Sequence, residues 1–94
     1  MMYTPSFLKV KETLRKPILE YIKKYQSVNA IAIHKYIEQL TNTNPELYKL
    51  IHFSYSYPYS DQVSEVLTDL IRHCIIRETN EGYSLTSHGE SLIK

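Results

Sequence analysis

The sequence predicts a single, mainly α-helical domain with one small β-hairpin near its C-terminus. Ninety-four residues are the size of one domain. Only two glycines occur, which leaves little room for the many tight turns of a β-rich fold. Apolar residues recur three and four apart along most of the chain, whereas "IIRET" and "YSL" flank the turn "NEG" at residues 80–82. These three observations define the predicted fold class.

The first helix is predicted from its start signal. Thr4 has the side chain of an N-cap, and Pro5 suits the first helical position. Pro17 lacks an N–H group and crowds the preceding turn. Two alternatives follow: a helix ends near Lys16 and a second one runs to Tyr25, or one kinked helix covers both segments.

The middle of the chain predicts two further helices. Residues 27–29 form a short connection that could add one rung to a small sheet. Apolar spacing then predicts a helix from Ala30 to about Thr41. The sequence of cap, proline and acid at residues 44–46 restarts a short helix, which we expect to end near His52.

Residues 61–74 give the clearest amphipathic pattern in the chain. The apolar stripe, expected to face the core, consists of Val63, Val66, Leu67, Leu70, Ile71 and Cys74. The outward face is expected to carry Asp61, Ser64, Glu65, Thr68, Asp69 and Arg72, with Gln62 and His73 at its margins. This helix therefore has one side for packing and one side for solvent.

The hairpin is predicted over residues 75–86, with Gly82 in a positive-φ conformation. Thr86 or Ser87 can then cap a last short helix, because Ser87 and Glu90 have the spacing of a capping box.

The segment "VSEVLTDLIRHCIIRETNEGYSLTSHGESLI" resembles the recognition helix, wing and closing helix of winged helix–turn–helix regulators of the MarR and PadR type. Those families have a helix of the form "V..VL..L...GLI.R" before a wing that ends "Y.LT..G..L". The matching positions are Leu67, Leu70, Ile75, Ile76, Arg77, Tyr83, Leu85, Thr86, Gly89 and Leu92. The resemblance covers residues 60–93, and residues 17–41 by pattern only; it implies a winged helix–turn–helix (α+β) fold.

Three features depart from that family pattern. About 19 residues separate Thr41 from Ser60, where the family has a short turn. Cys74 replaces the glycine that usually joins recognition helix and wing. The wing tip "NEG" carries an acid where DNA-binding relatives have arginine or lysine.

The resemblance implies a small cytoplasmic DNA-binding protein, a homodimeric transcriptional regulator. The helix at residues 61–74 would read duplex DNA, with Gln62 facing an adenine edge and Arg72 a guanine edge, and residues 75–86 would be the wing. The expected DNA-binding residues are Tyr59, Ser60, Gln62, Ser64, Thr68, Arg72, Arg77 and Asn80. Residues 1–94 form one domain: residues 1–16 are a helical extension that helps dimerisation, and residues 17–94 are the core, with an insertion at 42–60.

Charge is distributed unevenly along the chain. Residues 1–24 carry six basic and two acidic side chains, a net +4, and residues 25–94 carry five basic and eight acidic ones, a net −3. The first quarter would therefore supply most of the attraction to a polyanion. Its cations are Lys9, Lys11, Arg15, Lys16, Lys23 and Lys24.

An aromatic ring stands at every second position of "FSYSYPYS", residues 53–60. Such alternation predicts an extended segment with its rings on one side. We expect Phe53 and Tyr55 to point inward, and Tyr57 and Tyr59 to be partly exposed. The alternative function is a winged-helix adaptor that binds a protein partner through the acidic helix face and the strip Tyr55–Tyr59, with Tyr57 and Tyr59 as contacts.

Catalysis, metal binding and a cofactor find no support in the sequence. It contains no glycine-rich phosphate loop, and its four histidines are scattered. Cys74 is expected to be a small buried hydrophobe, and a lone cysteine fits a reducing cytosol. The longest apolar run is the four residues "AIAI", far below the ~20 that a membrane span needs. We therefore expect a cytoplasmic protein that is not an enzyme and has no membrane contact.

Overall fold

The computed structural model describes residues 5–53 and 59–93. Within them the fold is mainly helical with one antiparallel hairpin, which confirms the predicted fold class at that level. The elements are α1 (Pro5–Tyr25), α2 (Ala30–Thr43), α3 (Pro45–Leu50), α4 (Asp61–Arg72), β1 (Ile76–Thr79), β2 (Gly82–Leu85) and α5 (Ser87–Leu92).

Helix α1 continues through Pro17, so one helix covers both of the segments that the proline separates. An internal proline costs a helix about 3 kcal/mol. Leu14, Ile18 and Ile22 lie on one face of α1 and are fully buried. Because each such side chain gains about 1.5–3 kcal/mol from burial, packing outweighs the cost of the proline. The expected N-cap Thr4 lies outside the described residues.

Side-chain caps set where the later helices begin. The Asn29 Oδ1 atom accepts a hydrogen bond of 2.8 Å from the backbone N–H of Ala32 at the start of α2. Asn44 serves as both the C-cap of α2 and the N-cap of α3, which is why α2 extends two residues beyond the predicted Thr41. Its Oδ1 atom accepts a bond of 3.0 Å from the N–H of Glu46. These polar side chains satisfy N–H groups that have no partner inside the helix.

Helix α4 ends two residues earlier than predicted. Its C-terminus has the Schellman pattern: Ile75 N–H donates to the Leu70 carbonyl at 2.9 Å, and Cys74 N–H to the Ile71 carbonyl at 3.0 Å. Cys74 accordingly adopts a φ of 58° and is exposed. Cys74 was expected to belong to the buried stripe, and that expectation is therefore wrong. Ile71 was expected there as well, and it is also exposed.

The hairpin is attached to the helices by a third rung. β1 pairs with β2 in the register Ile76 with Leu85. Val28, in the connection between α1 and α2, bridges Tyr83 in an antiparallel manner, and its N–H donates to the Tyr83 carbonyl at 3.1 Å. The prediction of one rung at residues 27–29 is thus confirmed. Gly82 has a φ of 125°, and a Cβ atom there would overlap the Val28 carbonyl.

The last helix, α5, closes the base of the hairpin. Thr86, rather than Ser87, is its N-cap, and the Thr86 hydroxyl accepts from the Gly89 N–H at 3.0 Å. The same Oγ1 atom lies 3.0 Å from the Ile75 carbonyl, to which it donates. A Cβ atom at Gly89 would overlap that carbonyl, so α5 and the start of β1 are in direct backbone contact.

A single hydrophobic core joins these elements, with α1 packed against α2, α4 and β2. Val10 and Leu14, from the predicted N-terminal extension, are part of that core. In the portion of the chain that the structure describes, no helix has the length and apolar content required to cross a bilayer. The core leaves one long face of α4 uncovered, and this face carries four of the eight predicted DNA-binding residues.

Candidate functional site

The outer face of α4 and the start of α1 enclose an open hollow of about 470 Å³. It is lined by Phe7, Tyr59, Asp61, Ser64, Glu65, Thr68, Asp69 and Arg72. Four of the predicted DNA-binding residues, namely Tyr59, Ser64, Thr68 and Arg72, therefore lie on one surface. We take this surface, the α4 face, as the candidate site.

Asp69 differs from its expected position. Its side chain is only 2 % exposed, and its Oδ2 atom lies 2.9 Å from the Nζ atom of Lys11 on α1. His73 Nδ1 lies 3.6 Å from the other carboxylate oxygen. Asp69 was expected to face outward, and that expectation is wrong, because α1 packs along the side of α4 on which Asp69 lies. Of the three acids expected on the outward face of α4, Asp69 is thus neutralised by an ion pair within the fold.

Gln62 lies at the margin of α4, as expected, but its amide is already bonded. The side-chain oxygen accepts a 2.7 Å hydrogen bond from the His52 N–H, and the amide nitrogen donates to the Leu50 carbonyl. Both ends of the amide therefore join α4 to the end of α3. Contact with an adenine edge would require these two bonds to break.

Ser60 is buried and is the N-cap of α4, so it does not lie on the α4 face. Its hydroxyl accepts from the Val63 N–H at 3.5 Å, and its own N–H donates to His34 Nδ1 at 3.1 Å. The His34 ring stacks on the Tyr59 ring with centroids 4.9 Å apart. His34 therefore positions both the N-terminus of α4 and an aromatic side of the hollow.

The sequence contains a signal for the burial of His34. His34 follows Ala30 by four residues and precedes Ile37 by three, which places it on the packing side of α2. It is 4 % exposed, and burial lowers the pKa of its imidazole. Since Nδ1 accepts a hydrogen bond, the neutral ring carries its proton on Nε2.

The predicted wing residues lie apart from the α4 hollow. The Arg77 Nε atom donates to the Ser84 hydroxyl across the hairpin at 3.3 Å. Together with Lys23, Arg77 lines a separate groove of about 450 Å³ between α1 and the hairpin. Asn80 lies in the exposed turn between β1 and β2. The eight predicted residues thus form one cluster of four, two supports at Ser60 and Gln62, and two positions on the hairpin.

The charge of the α4 face is unfavourable for a polyanion. Asp61 and Glu65 are exposed beside a single arginine, Arg72. Exposed acids near a phosphate oppose the counterion release that drives nucleic-acid binding. Attraction would have to come from Arg72 together with cations of α1 and the hairpin.

Two rings of the aromatic strip, those of Phe53 and Tyr59, belong to the described residues. Phe53 is half-buried and packs against the core, as expected. Tyr59 is partly exposed, also as expected. Tyr55 and Tyr57 lie outside the described residues.

Among residues 5–53 and 59–93, no group of three metal-ligating side chains converges. Comparison of the chain with protein-family models, with curated proteins and with solved structures finds no match.

Proposed function

We propose that the chain is a winged helix–turn–helix protein that binds double-stranded DNA and regulates transcription. In this proposal α4 enters the major groove, and the hairpin is the wing beside it. The observation that carries the proposal is the one-sided burial of α4 next to an anchored hairpin. Val63, Val66 and Leu70 are fully buried, whereas Thr68 and Arg72 are exposed on the opposite side.

Three features of the α4 face support direct contact with DNA. The major groove is about 12 Å wide and admits an α-helix. Arg72, in the last turn of α4, carries a guanidinium that can bond a guanine edge in bidentate fashion. Thr68 and Ser64 lie one and two turns earlier on the same side, where they can contact phosphate or a thymine methyl group. Tyr59, at the N-terminal end of α4, adds an aromatic contact to the sugar–phosphate backbone.

The hairpin supports the proposal through its attachment. Because Val28 bonds Tyr83, the part of β2 next to the turn is joined to the connection between α1 and α2. Arg77 and Lys23 line one groove beside that joint, together with one acid, Glu90. We assign phosphate contacts to these two cations, and we assign the exposed turn at Asn80 to the adjacent groove.

The acids of the α4 face predict modest affinity with a clear dependence on salt. Each neutralised phosphate contributes about −0.9 to the slope of log affinity against log salt concentration. Three contacts, from Lys23, Arg72 and Arg77, would give a slope of about −2.7, so affinity would fall about 40-fold between about 50 and about 200 mM salt. Titration of a random-sequence duplex at several salt concentrations measures this slope. Absence of binding at the lowest salt would exclude the proposal.

We also propose that the protein is a homodimer, so that two copies of α4 can meet half-sites about one helical turn apart. Val10 and Leu14 are buried in the chain's own core, so the dimer contact is assigned to the exposed side of α1 that carries Leu8. Size-exclusion chromatography with light scattering tests this assignment. A strict monomer at high protein concentration would remove it.

A second function, protein binding, is favoured by the composition of the same hollow. Phe7 and Tyr59 contribute aromatic surface, and Asp61 and Glu65 contribute exposed acids. A basic peptide segment with an apolar anchor would match that chemistry. The DNA titration separates the two functions, because an adaptor would not bind the duplex even at low salt.

A further inference from the structure

Three tyrosine rings from α1 and α2 form a ladder on a surface that does not include the α4 face. The rings of Tyr21 and Tyr36 are stacked, with centroids 4.3 Å apart and an interplanar angle of 19°. Tyr25 lies one turn further along α1; its ring centroid is 4.9 Å from that of Tyr21, and the two ring planes are tilted by 53°. We call these three residues the tyrosine ladder.

The ladder lies in an open hollow of about 500 Å³ between α1 and α2. Besides the three tyrosines, the hollow is lined by Glu20, Lys24, Ala32, Lys35 and Gln39. Tyr25 is 54 % exposed, and the Nζ atom of Lys24 lies 5.3 Å from its ring centroid. The ladder is therefore an accessible aromatic surface at the edge of the core, with ammonium groups beside it.

We propose that the tyrosine ladder binds unpaired bases of a single-stranded nucleic acid. Bases stack on aromatic side chains whatever their sequence, and basic side chains next to the rings hold the phosphates. A base can stack on the exposed ring of Tyr25, which is held against Tyr21, while Tyr21 is itself stacked on Tyr36. Because these ring contacts are formed before binding, little ordering of side chains is required.

The charge of the lining matches this ligand. The lining contains two exposed lysines, Lys24 and Lys35, and one acid, Glu20, so the hollow has a net positive charge. The Lys24 ammonium group lies over the Tyr25 ring, so a stacked base would move it to the side of the ring, where it can meet the phosphate of that nucleotide. The Gln39 amide offers both a donor and an acceptor to a base edge.

Duplex DNA and an apolar peptide are poorer matches. Paired bases are stacked on one another and present only their edges, so they cannot stack on Tyr25. An apolar peptide would bury the two ammonium groups without partners, which is costly. The α4 hollow and the ladder share no lining residue. The proposed single-strand site is therefore independent of the proposed duplex site.

The test is a titration of the full chain with a fluorescent single-stranded oligothymidine at low salt. Tyr25→Ala should weaken binding about tenfold, whereas Tyr25→Phe should keep it, because stacking requires the ring and not the hydroxyl. Tyr48→Ala is the matched control, since Tyr48 lies on α3 and is 68 % exposed. Lys24→Gln should reduce the salt slope by about 0.7.

Two results would overturn the proposal: no binding of the oligothymidine at low salt, or equal binding by wild type and Tyr25→Ala. Arg72→Ala separates this site from the α4 face. It should leave single-strand binding unchanged and weaken duplex binding. Loss of single-strand binding in Arg72→Ala would assign that binding to α4 and remove it from the ladder.

Discussion

The Lys11 Nζ atom lies 2.9 Å from the Asp69 carboxylate, and this ion pair joins the N-terminal half of α1 to the C-terminal half of α4. Asp69 is almost fully buried, whereas Lys11 keeps about a quarter of its side-chain surface in solvent. The carboxylate has therefore lost most of its water and depends on the ammonium group for compensation. The ion pair fixes the position of α4 relative to α1, and it removes one negative charge from the proposed DNA-binding surface.

Replacement of Lys11 by methionine should destabilise the fold. The change keeps the length of the side chain and removes the ammonium partner of a buried carboxylate, so we expect a loss of about 1–3 kcal/mol. Urea denaturation measures the free energy of unfolding. Lys16→Met, on an exposed position of α1, is the control and should change it little. Equal effects of the two substitutions would contradict the role assigned to the ion pair.

Stability should fall as the pH drops below 6.5, because burial lowers the pKa of His34 in the folded state from the 6.5 of an exposed imidazole. Below pH 6.5 the unfolded chain binds a proton at this residue more readily than the folded chain does. The stabilising contribution is therefore complete above pH 6.5 and is lost as the pH falls toward the lower, folded pKa. Each unit of difference between the two pKa values corresponds to about 1.4 kcal/mol.

The measurement is the free energy of unfolding between pH 8 and pH 5, with roughly even steps. His34→Gln keeps an acceptor for the Ser60 N–H and removes the titrating group, so its profile should be flatter than that of wild type. His88→Gln removes an exposed histidine and should keep the wild-type profile. A wild-type pH dependence in His34→Gln would assign the effect to another group.

Cys74→Gly should stabilise the protein. Cys74 holds a left-handed φ of 58° at the end of α4, a conformation that glycine adopts without steric cost. The larger conformational entropy of glycine in the unfolded chain offsets part of this gain. The net increase in the free energy of unfolding should be about 0.5–1 kcal/mol. Thermal and urea denaturation would measure it. Cys74→Ala removes the same thiol and keeps the strain, so it should give no comparable gain; a gain in both variants would point to the thiol instead.

Glu65→Gln should strengthen duplex binding if α4 faces DNA. Removal of one negative charge at about 7 Å from a phosphate in water should raise affinity roughly threefold. Glu12→Gln makes the same change in net charge on an exposed part of α1 that lines a different hollow. Fluorescence anisotropy with one duplex compares the two variants. An equal gain in both would indicate a general effect of net charge and no particular closeness of α4 to DNA.

Local signals in the sequence predicted the order of elements because polar caps and glycines act within a few residues. Asn44 caps α3 at the predicted position, and Thr86, one of the two predicted caps, begins α5. Gly82 has the predicted positive φ at the hairpin. The predicted end of α4 was two residues too late, because the apolar positions keep helical spacing through residue 74. In the structure the Schellman hydrogen bonds end the helix at Arg72.

Contacts between helices could not be predicted from the sequence. The periodicity of α4 gives the width of its apolar stripe and does not say which neighbour covers its margin, so the burial of Asp69 by α1 was not predictable. The pairing of Tyr21 with Tyr36 depends in the same way on how α1 crosses α2. Helical spacing placed Thr68 and Arg72 on the exposed side correctly, because position on a helix is a local property.

Each of the two glycines lies where two backbone segments are in close contact at the hairpin. Gly82 of β2 contacts Val28, and Gly89 of α5 contacts Ile75, which precedes β1. The hairpin is thus clamped at its tip side by one neighbour and at its base by another. The Tyr83 amide hydrogen, which is bonded to the Val28 carbonyl, should exchange with deuterated water only in openings that separate the hairpin from the helices. A groove that receives the hairpin would have to widen around it, since the hairpin cannot bend to fit.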